Sequence, residues 1–431
     1  METYSDLREN QWSIGYKWLF TWLALYVLLY TFPFPISSIP GLNVIFQPYT
    51  NLWNWLIPIV GKNILGIEYE IATGPNGSGD TTADYVRLFM VFSFSLVGSI
   101  IWTALDRKRP HYQKLLFWLT VLIRYYLGFM MLSYGFAKVF KLQFQHPSLF
   151  RLLEPFGEAS PMGLVWTFMG ASTPYTVFTG WGEVIGGLLL LFRRTTSLGA
   201  VVLIAVMTNV VMINFSYDVP VKLFSSNLLL MAVFLLALDY RRMLNLFLLN
   251  KPTGPQLQAA PFEEDHGKKL AFRIFKGLFV ALYLGLQITQ GVSAQKNYGE
   301  KKPKPPLFGI YEVDQFVLNQ DTLPPLTTDT TRWQRLLFER WGGVRLQKMD
   351  DSYERLSVEV DSSLAELNLW PRQDTVNQYT FSYQWMDSTQ LEMQGIWAGD
   401  TLWMQMRRKG PEDFQLMNRG FRWINEYPHN R

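Results

Sequence analysis

The 431-residue sequence contains no cysteine and only four histidines. Without cysteine the chain cannot form a disulfide, a thiolate nucleophile, an iron–sulfur cluster or a cysteine-ligated zinc site. The histidines lie in predicted loops or near the C-terminus, at His111, His146, His266 and His429. A haem buried in a helical bundle needs axial ligands on the helices, so we expect no such haem. Metal-ligand spacings are absent as well, so we predict no metal site.

Strong charge and strong overall hydropathy are also missing. The formal net charge is +4 and the mean hydropathy is only +0.05. The near-zero mean averages two unlike parts of the chain. Residues 1–295 contain repeated apolar runs of membrane-spanning length, whereas residues 296–431 alternate polar and apolar side chains. We therefore predict an α-helical membrane bundle followed by an antiparallel β domain, and we expect no nucleic acid as a partner.

Seven apolar runs are predicted to cross the membrane. They occupy 15–36, 85–105, 115–137, 176–192, 196–215, 221–239 and 270–291. The first run is too long for a cleavable signal peptide, and no A-x-A site follows it. Basic residues concentrate in the loops after the second, fourth and sixth runs. By the positive-inside rule these loops and the N-terminus face the cytoplasm, and the C-terminal region is periplasmic. The predicted location is a bacterial inner membrane.

The runs divide the chain into four predicted regions. Residues 1–114 hold two spans and an external loop, in which the Trp and Leu spacing of 50–65 predicts a helix at the membrane interface. Residues 115–250 form a four-helix core. Residues 251–295 hold a cytoplasmic linker, rich in Pro and Gln at 251–266, and the seventh span. Residues 296–431 form the external β domain.

Two opposite charges, Arg124 and Glu183, lie inside predicted spans. A charge in hydrocarbon is costly, so it usually faces a bundle interior and has a partner. Helical spacing puts five residues of the third span on one face, namely Arg124, Gly128, Met131, Gly135 and Lys138. The same rule groups Gly180, Glu183 and Gly187 on the fourth span, and these small residues allow close helix approach. Both charges lie roughly 15 Å from the predicted cytoplasmic boundary.

We therefore predict that Arg124 and Glu183 pair, with Tyr125 and Asn209 close to them. Two interpretations of the pair stay open. It is either a structural ion pair that holds two helices in register, or part of a pocket for a polar headgroup, a quinone or a small anion. A third alternative is that one of the two side chains extends to the membrane interface and the span limits differ.

A second polar cluster follows the fifth span. It consists of Asn214, Tyr217, Asp218 and Lys222. With Lys138 and Lys141, which leave the third span on the same side, it is a candidate external mouth above the bundle. The alternative is a solvated loop with local Asx turns. The sequence has no Gly-rich phosphate loop and no nucleophile elbow, so we assign no catalytic residue.

Part of the chain resembles the DoxX family of membrane proteins. RYYLGFMMLSYGFAKV (124–139) resembles that family's first conserved helix, and GWGEVIGGLLLLFRRTTSLGAVVLIAVM (180–207) resembles its next helix pair. The resemblance covers about residues 115–240 and implies a four-helix membrane core. Arg124, Lys138 and Glu183 fall on the family's polar positions. Family members are assigned as subunits of quinone-linked oxidoreductases or are uncharacterised membrane proteins. This chain adds two N-terminal spans, a seventh span and a long C-terminal region.

The C-terminal region follows a Pro/Lys tether at 296–309. Nine short segments are strand-like and predict a small antiparallel barrel: 310–319, 334–339, 343–349, 353–361, 364–370, 378–387, 389–397, 401–409 and 414–424. The first of them resembles the first strand of a lipocalin-like fold. Seven tryptophans form its core or line a cavity, and we favour the core: Trp333, Trp341, Trp370, Trp385, Trp397, Trp403 and Trp423.

Two functions are consistent with these predictions. In the first, the chain is a subunit of a membrane redox system that handles a quinone or a lipid at an intramembrane polar site. In the second, it is a non-catalytic scaffold whose external β domain binds a protein partner or lipid. The resemblance raises quinone as the ligand of the first function, and residue patterns alone do not assign an enzymatic reaction.

Overall fold

The computed structural model describes residues 11–38, 41–254, 266–374 and 377–430. The chain forms two compact units. The first contains Met1–Phe140 and Val177–Val292, and the second contains Lys141–Thr176 and Ser293–Arg431. Residues 141–176 were predicted to belong to the helical core, whereas the structure groups them with the C-terminal region. Most of the predicted linker at 251–266 lies outside the described residues.

Helices build the first unit and part of the second. In chain order they are α1 Ile14–Thr31, α2 Gln47–Asn63, α3 Thr82–Leu105, α4 Gln113–Val139, α5 Leu149–Leu153, α6 Pro161–Ala171, α7 Thr173–Leu191, α8 Thr196–Ser216, α9 Lys222–Ala237, α10 Tyr240–Phe247, α11 His266–Asn297 and α12 Gln415–Asn418. Every predicted span and the predicted interfacial segment coincide with a helix. In the first unit, α1 packs along α3 and α8 packs along α9.

Several of these helices can cross a membrane. By length and composition α3, α4, α11 and the helical stretch Arg193–Ser216 qualify, and α9 with α10, bent by 74°, makes a fifth if it is one span. Among the described residues, α1 and α7 do not reach the same length and apolarity. The helical bundle is thus present with four or five candidate spans. The count of seven stays a prediction.

An antiparallel β-barrel forms most of the second unit. Its strands are β1 Gly309–Leu318, β2 Asp321–Thr322, β3 Trp333–Phe338, β4 Val344–Lys348, β5 Tyr353–Asp361, β6 Glu366–Pro371, β7 Tyr379–Trp385, β8 Gln390–Trp397 and β9 Asp400–Lys409. The strands β1 and β3 to β9 follow each other around the sheet, and β1 pairs with β9 to close it. The short β2 is added at the end of β1. Eight of the nine predicted strands are confirmed.

The ninth predicted strand, 414–424, is wrong. The chain leaves β9 at Gly410 and forms a short helix, Gln415–Asn418, with no strand after it up to residue 430. The physical reason is the closure of the barrel. Because β1 occupies the free edge of β9, no strand edge remains there for another segment to join.

Aliphatic, Phe and Met side chains fill the barrel. Trp333 is buried among them at 2% exposure, and Trp397 packs edge-on against it at a centroid distance of 5.2 Å. The expectation of a tryptophan core is wrong for three others, which are exposed: Trp341, Trp385 and Trp423. Trp341 lies in the turn between β3 and β4, Trp423 lies after α12, and Trp385 is the last residue of β7, so none of the three sits within the middle of a strand. A cleft of 240 Å³ opens beside Trp333 and Trp397.

One buried arginine connects a loop to the strands of the barrel by hydrogen bonds. Arg332 lies directly before β3 and is 2% exposed. Its guanidinium donates hydrogen bonds to the carbonyl oxygens of Leu323 at 3.1 Å, Val313 at 3.1 Å and Trp333 at 3.3 Å. These bonds link the loop before β3 to β1.

We expect Arg332→Met to lower the free energy of unfolding of the barrel by about 3 kcal/mol, because two buried carbonyls and one partly buried carbonyl lose a charged donor. Urea unfolding of the full-length protein in detergent, followed by tryptophan fluorescence, measures this. Arg407→Met is the matched control. Its guanidinium pairs with Asp314 at 3.0 Å on the surface, so the loss is under about 1 kcal/mol. Equal losses in both variants contradict the role assigned to Arg332.

A polar cluster joins 141–176 to the start of the C-terminal region within the second unit. The Lys141 ammonium is 2.6 Å from Thr173 Oγ1, 3.1 Å from His146 Nδ1 and 3.3 Å from Glu300 Oε1. His146 Nε2 is 3.3 Å from the other Glu300 oxygen. Burial lowers the pKa of His146 below its usual range, with the charges of Lys141 and Arg340 acting in the same direction and Glu300 opposing. The imidazole is therefore neutral at pH 7.

This gives the second unit an acid-sensitive contact. Below about pH 6.5 His146 becomes protonated in the unfolded chain, while in the folded protein its lowered pKa keeps the imidazole neutral. Stability therefore falls as pH drops through the unfolded value toward the lower folded one. We expect wild type to lose more unfolding free energy between pH 7 and pH 5 than His146→Gln does, measured by urea titrations at each pH. Parallel pH profiles for the two proteins contradict this.

Candidate functional site

The predicted polar face lies in a close contact between α4 and α7. A Cβ atom added to Gly135 would lie 2.8 Å from the Gly180 carbonyl oxygen, and one added to Gly180 would lie 2.8 Å from the Gly135 oxygen. Gly128 and Gly187 form a second such contact, with a Cβ on Gly187 2.9 Å from the Gly128 oxygen. The two antiparallel helices therefore touch backbone to backbone, as the glycine spacing predicts.

All five residues predicted to share a face of α4 are buried, which confirms the helical spacing: Arg124, Gly128, Met131, Gly135 and Lys138. Glu183 faces them from α7 and is 3% exposed. The contact between α4 and α7 thus contains two cations and one carboxylate.

Lys138 is the partner of Glu183. The Lys138 ammonium donates hydrogen bonds to both carboxylate oxygens, each at 2.8 Å. The lysine is 7% exposed, and its ammonium lies 5.8 Å from the centre of the Tyr134 ring. The carboxylate is therefore neutralised by a bidentate, buried ion pair.

The predicted pairing of Arg124 with Glu183 is wrong. Arg124 Nε instead donates to the carbonyl oxygen of Leu190 at 3.0 Å. Within the part of the chain that the structure describes, this is the guanidinium's only hydrogen bond. Arg124 is 6% exposed, so a buried cation is left without a carboxylate.

Helix geometry explains the exchange of partners. Gly128 lies opposite Gly187 and Gly135 opposite Gly180, so Glu183 is level with Leu132, eight residues or roughly 12 Å along α4 from Arg124. Side chains also tilt toward the N-terminus of their own helix. In an antiparallel pair this tilt carries Arg124 and Glu183 apart, whereas it brings Lys138 and Glu183 together. The predicted Arg124–Glu183 pair was based only on the depth of each residue along its span, which does not include this tilt.

Tyr125 lies close to a lysine that was not among the predicted site residues, Lys276. The Lys276 ammonium of α11 is 5.9 Å from the centre of the Tyr125 ring and 5.1 Å from that of Phe192. Arg124 directly precedes Tyr125 on α4. The signal was present, because a lysine within the apolar run 270–291 is as costly as Arg124 in hydrocarbon.

Asn209 does not join the buried charges. It is exposed on α8, on a face of the helix that carries no other member of the site. The prediction that it approaches the pair is wrong. Its position follows from the helical period, because the buried positions of α8 fall at Leu203 and Met207.

The four residues of the predicted mouth do not form one cluster. Asn214 is 4% exposed and donates to Ser225 Oγ at 3.0 Å, between α8 and α9. Tyr217 is 39% exposed. Asp218 and Lys222 form a local ion pair at 2.7 Å. Asn214 therefore supports helix packing, and the two charged residues pair with each other.

Asp80, which was not among the predicted site residues, caps the N-terminal end of α9. Its carboxylate accepts hydrogen bonds from the backbone N–H groups of Lys222 at 2.7 Å and Leu223 at 2.9 Å. These N–H groups lie in the first turn of the helix, where no acceptor within the helix is available to them.

Among the residues that the structure describes, no three His, Asp or Glu side chains cluster in a way that could hold a metal ion.

The ion pair between α4 and α7 can be tested by a double-mutant cycle. Lys138→Met and Glu183→Leu each leave an uncompensated buried charge, so each is expected to cost about 3–5 kcal/mol of stability. The double variant Lys138→Met/Glu183→Leu regains most of that loss. Thermal and urea unfolding in detergent measure it.

The control cycle pairs Arg124→Met with Glu183→Leu. Because these residues do not touch, their effects should add to within about 0.5 kcal/mol. Strong coupling in the control cycle, or none between Lys138 and Glu183, contradicts the observed partners.

Comparisons with known proteins give one informative match. No protein-family model matches the chain, and no solved structure matches it. The Bacillus subtilis (strain 168) protein named "Uncharacterized protein YwoB" is 34% identical over 133 residues, which cover 29% of this chain and 79% of that protein.

Proposed function

The chain belongs to the same family as the uncharacterized protein YwoB of Bacillus subtilis, and we propose that it is a DoxX-like membrane protein that handles a quinone or a lipid at Arg124. The proposed site consists of the Arg124 guanidinium, the Tyr125 side chain and the Lys276 ammonium. These groups offer donors and an aromatic surface to a carbonyl or acidic oxygen carried on an apolar molecule.

One observation carries this proposal. The buried Arg124 guanidinium meets a carbonyl oxygen and no carboxylate among the described residues. A buried charge without a countercharge is expensive, and such residues in apolar helices mark ligand or ion sites. An oxygen-bearing ligand would supply the missing acceptor for the remaining guanidinium N–H groups.

The Lys138–Glu183 pair is assigned a different role. Both carboxylate oxygens already accept from the lysine, so the pair has little capacity left for a ligand. We assign it to holding α4 and α7 in register, which is the structural interpretation of the predicted charges. We assign the proposed ligand-binding role to Arg124 alone of the three buried charges on α4 and α7.

The membrane arrangement belongs to the proposal as well. Four or five helices have the length and apolarity of spans, which supports an integral membrane protein. We propose seven spans in a bacterial inner membrane, with a cytoplasmic N-terminus and the C-terminal barrel in the periplasm. The distribution of basic loops supports this orientation.

Ligand binding at Arg124 can be measured directly. Delipidated full-length protein in detergent is titrated with a short-chain quinone and with a short-chain phosphatidylglycerol, with binding followed by calorimetry. We expect Arg124→Gln to weaken binding at least about tenfold, since a charge-assisted hydrogen bond contributes about 1.5–3 kcal/mol. Arg241→Gln, which changes an exposed arginine, is the matched control and should bind as wild type.

The outcomes separate the ligands. Binding of the quinone alone identifies a redox subunit, and binding of the phospholipid alone identifies a lipid-handling protein. If neither binds, or if Arg124→Gln binds as wild type does, the proposed site is wrong.

A second function is favoured by a different observation. The described C-terminal segment after β9 exposes large apolar side chains at Phe421, Trp423, Ile424 and Tyr427, each more than 75% exposed. Exposed apolar side chains in series mark interaction surfaces. The alternative function is therefore a scaffold whose barrel domain binds a protein partner or lipid through this segment.

A further inference from the structure

A cleft in the first unit lies between α2 and the start of α3. Its volume is 310 Å³, which is within the range of small-molecule sites. Its lining includes Tyr49, Trp53 and Arg87, whose side chains carry hydrogen-bond donors. None of them belongs to the site at Arg124.

Two of these donors are buried without a partner. Trp53 is 7% exposed, and its indole Nε1 has no hydrogen-bond acceptor among the described residues. The Tyr49 hydroxyl is likewise buried and unpartnered within them. Buried polar atoms of folded proteins nearly always have a partner. Two unsatisfied donors in one cleft therefore indicate an acceptor that binds there.

Arg87 gives the cleft its charge. Its guanidinium stacks over the Trp53 ring at 5.1 Å from the centroid, and it forms no ion pair with a carboxylate in the described part of the chain. The nearby Asp84 is engaged elsewhere, because its Oδ2 accepts from Thr81 N at 2.9 Å and from Thr81 Oγ1 at 2.6 Å. A guanidinium, an indole N–H and a phenol O–H together match an oxyanion.

The surroundings favour a lipid as the source of that oxyanion. On the side of α2 that faces away from the cleft, apolar side chains are exposed at Leu52, Trp55 and Ile59. An exposed apolar helix face with tryptophan is typical of the membrane interface, which is the depth at which lipid phosphate groups lie. This step rests on the proposed membrane location of the chain.

We propose that the cleft formed by Tyr49, Trp53 and Arg87 binds the phosphate group of an anionic phospholipid. The phosphate oxygens accept from the guanidinium and from the two buried donors. The single charge of a phosphodiester is suited to a cleft that also contains the Asp84 carboxylate.

Three ligands and four variants test the proposal on delipidated full-length protein in detergent. The ligands are dihexanoyl phosphatidylglycerol, inorganic phosphate and dihexanoylglycerol, which lacks the phosphate. Binding is measured by calorimetry and by the ligand-induced rise in Tm, which separates binding from any loss of basal stability. The variants are Arg87→Gln, Trp53→Phe, Tyr49→Phe and, as the control, Arg109→Gln, which changes an exposed side chain paired with Asp106.

We expect wild type and Arg109→Gln to bind phosphatidylglycerol, and Arg87→Gln to bind it at least about tenfold more weakly. Trp53→Phe and Tyr49→Phe, which remove one donor each and keep the ring, should each weaken binding about fivefold. Inorganic phosphate should bind more weakly than the lipid, and dihexanoylglycerol should not bind.

Three results overturn the proposal. Phosphate binding as tight as that of phosphatidylglycerol excludes the lipid source. Dihexanoylglycerol binding as tight as that of the phospholipid excludes oxyanion recognition. Undiminished binding in Arg87→Gln and Trp53→Phe excludes the cleft. Each variant is also measured in the Arg124→Gln background, where the site at Arg124 is weakened. Phosphatidylglycerol binding that persists there and falls with Arg87→Gln belongs to the cleft, so failure of the cleft and failure of the site at Arg124 are distinguishable.

Discussion

The contact between α4 and α7 is the constraint on which the helical unit depends. Gly135 and Gly180 let the two backbones touch, and this proximity lets Lys138 reach both oxygens of Glu183. A buried ion pair is stabilising only when its geometry is close and its hydrogen bonds are satisfied. The glycines supply that geometry. The ion pair in turn fixes the register of the helices, because a shift by one turn would separate the charges by about 5 Å.

The same register of α4 and α7 leaves Arg124 without a carboxylate partner among the described residues. With Glu183 committed to Lys138, Arg124 meets only the Leu190 carbonyl. The same face of α4 therefore carries the Lys138–Glu183 ion pair near one end and, near the other end, the Arg124 guanidinium without a carboxylate partner in the described part of the chain. A structural role suits the former and a binding role suits the latter. The barrel unit follows a different rule, since Arg332 satisfies three backbone carbonyls and needs no further partner.

The sequence predicted the elements well and their partners poorly. Periods of 3.6 and 2 located the helices, the buried face of α4 and eight strands, because burial on one side of an element leaves a local pattern. The partner of Glu183 depends on side-chain tilt between two antiparallel helices, which no single-helix pattern contains. The absence of a strand at 414–424 depends on the β1–β9 closure, a contact between distant segments. The grouping of 141–176 with the C-terminal region is non-local too, since Glu339 accepts from the backbone N–H groups of Leu149 and Phe150.

Arg124 and Arg87 raise one physical question, which is why a fold keeps partly desolvated guanidinium groups without carboxylates. An arginine cannot shed its proton to escape the cost of burial, so only an acceptor can offset that cost. For Arg124 the acceptor within the described chain is one carbonyl, and for Arg87 it is the face of an indole. Each leaves guanidinium N–H groups unused. A chain that exposes its charges to water has no need of this arrangement, whereas one that recognises an oxygen-bearing amphiphile requires it. The two arginines are therefore better explained by ligands than by stability.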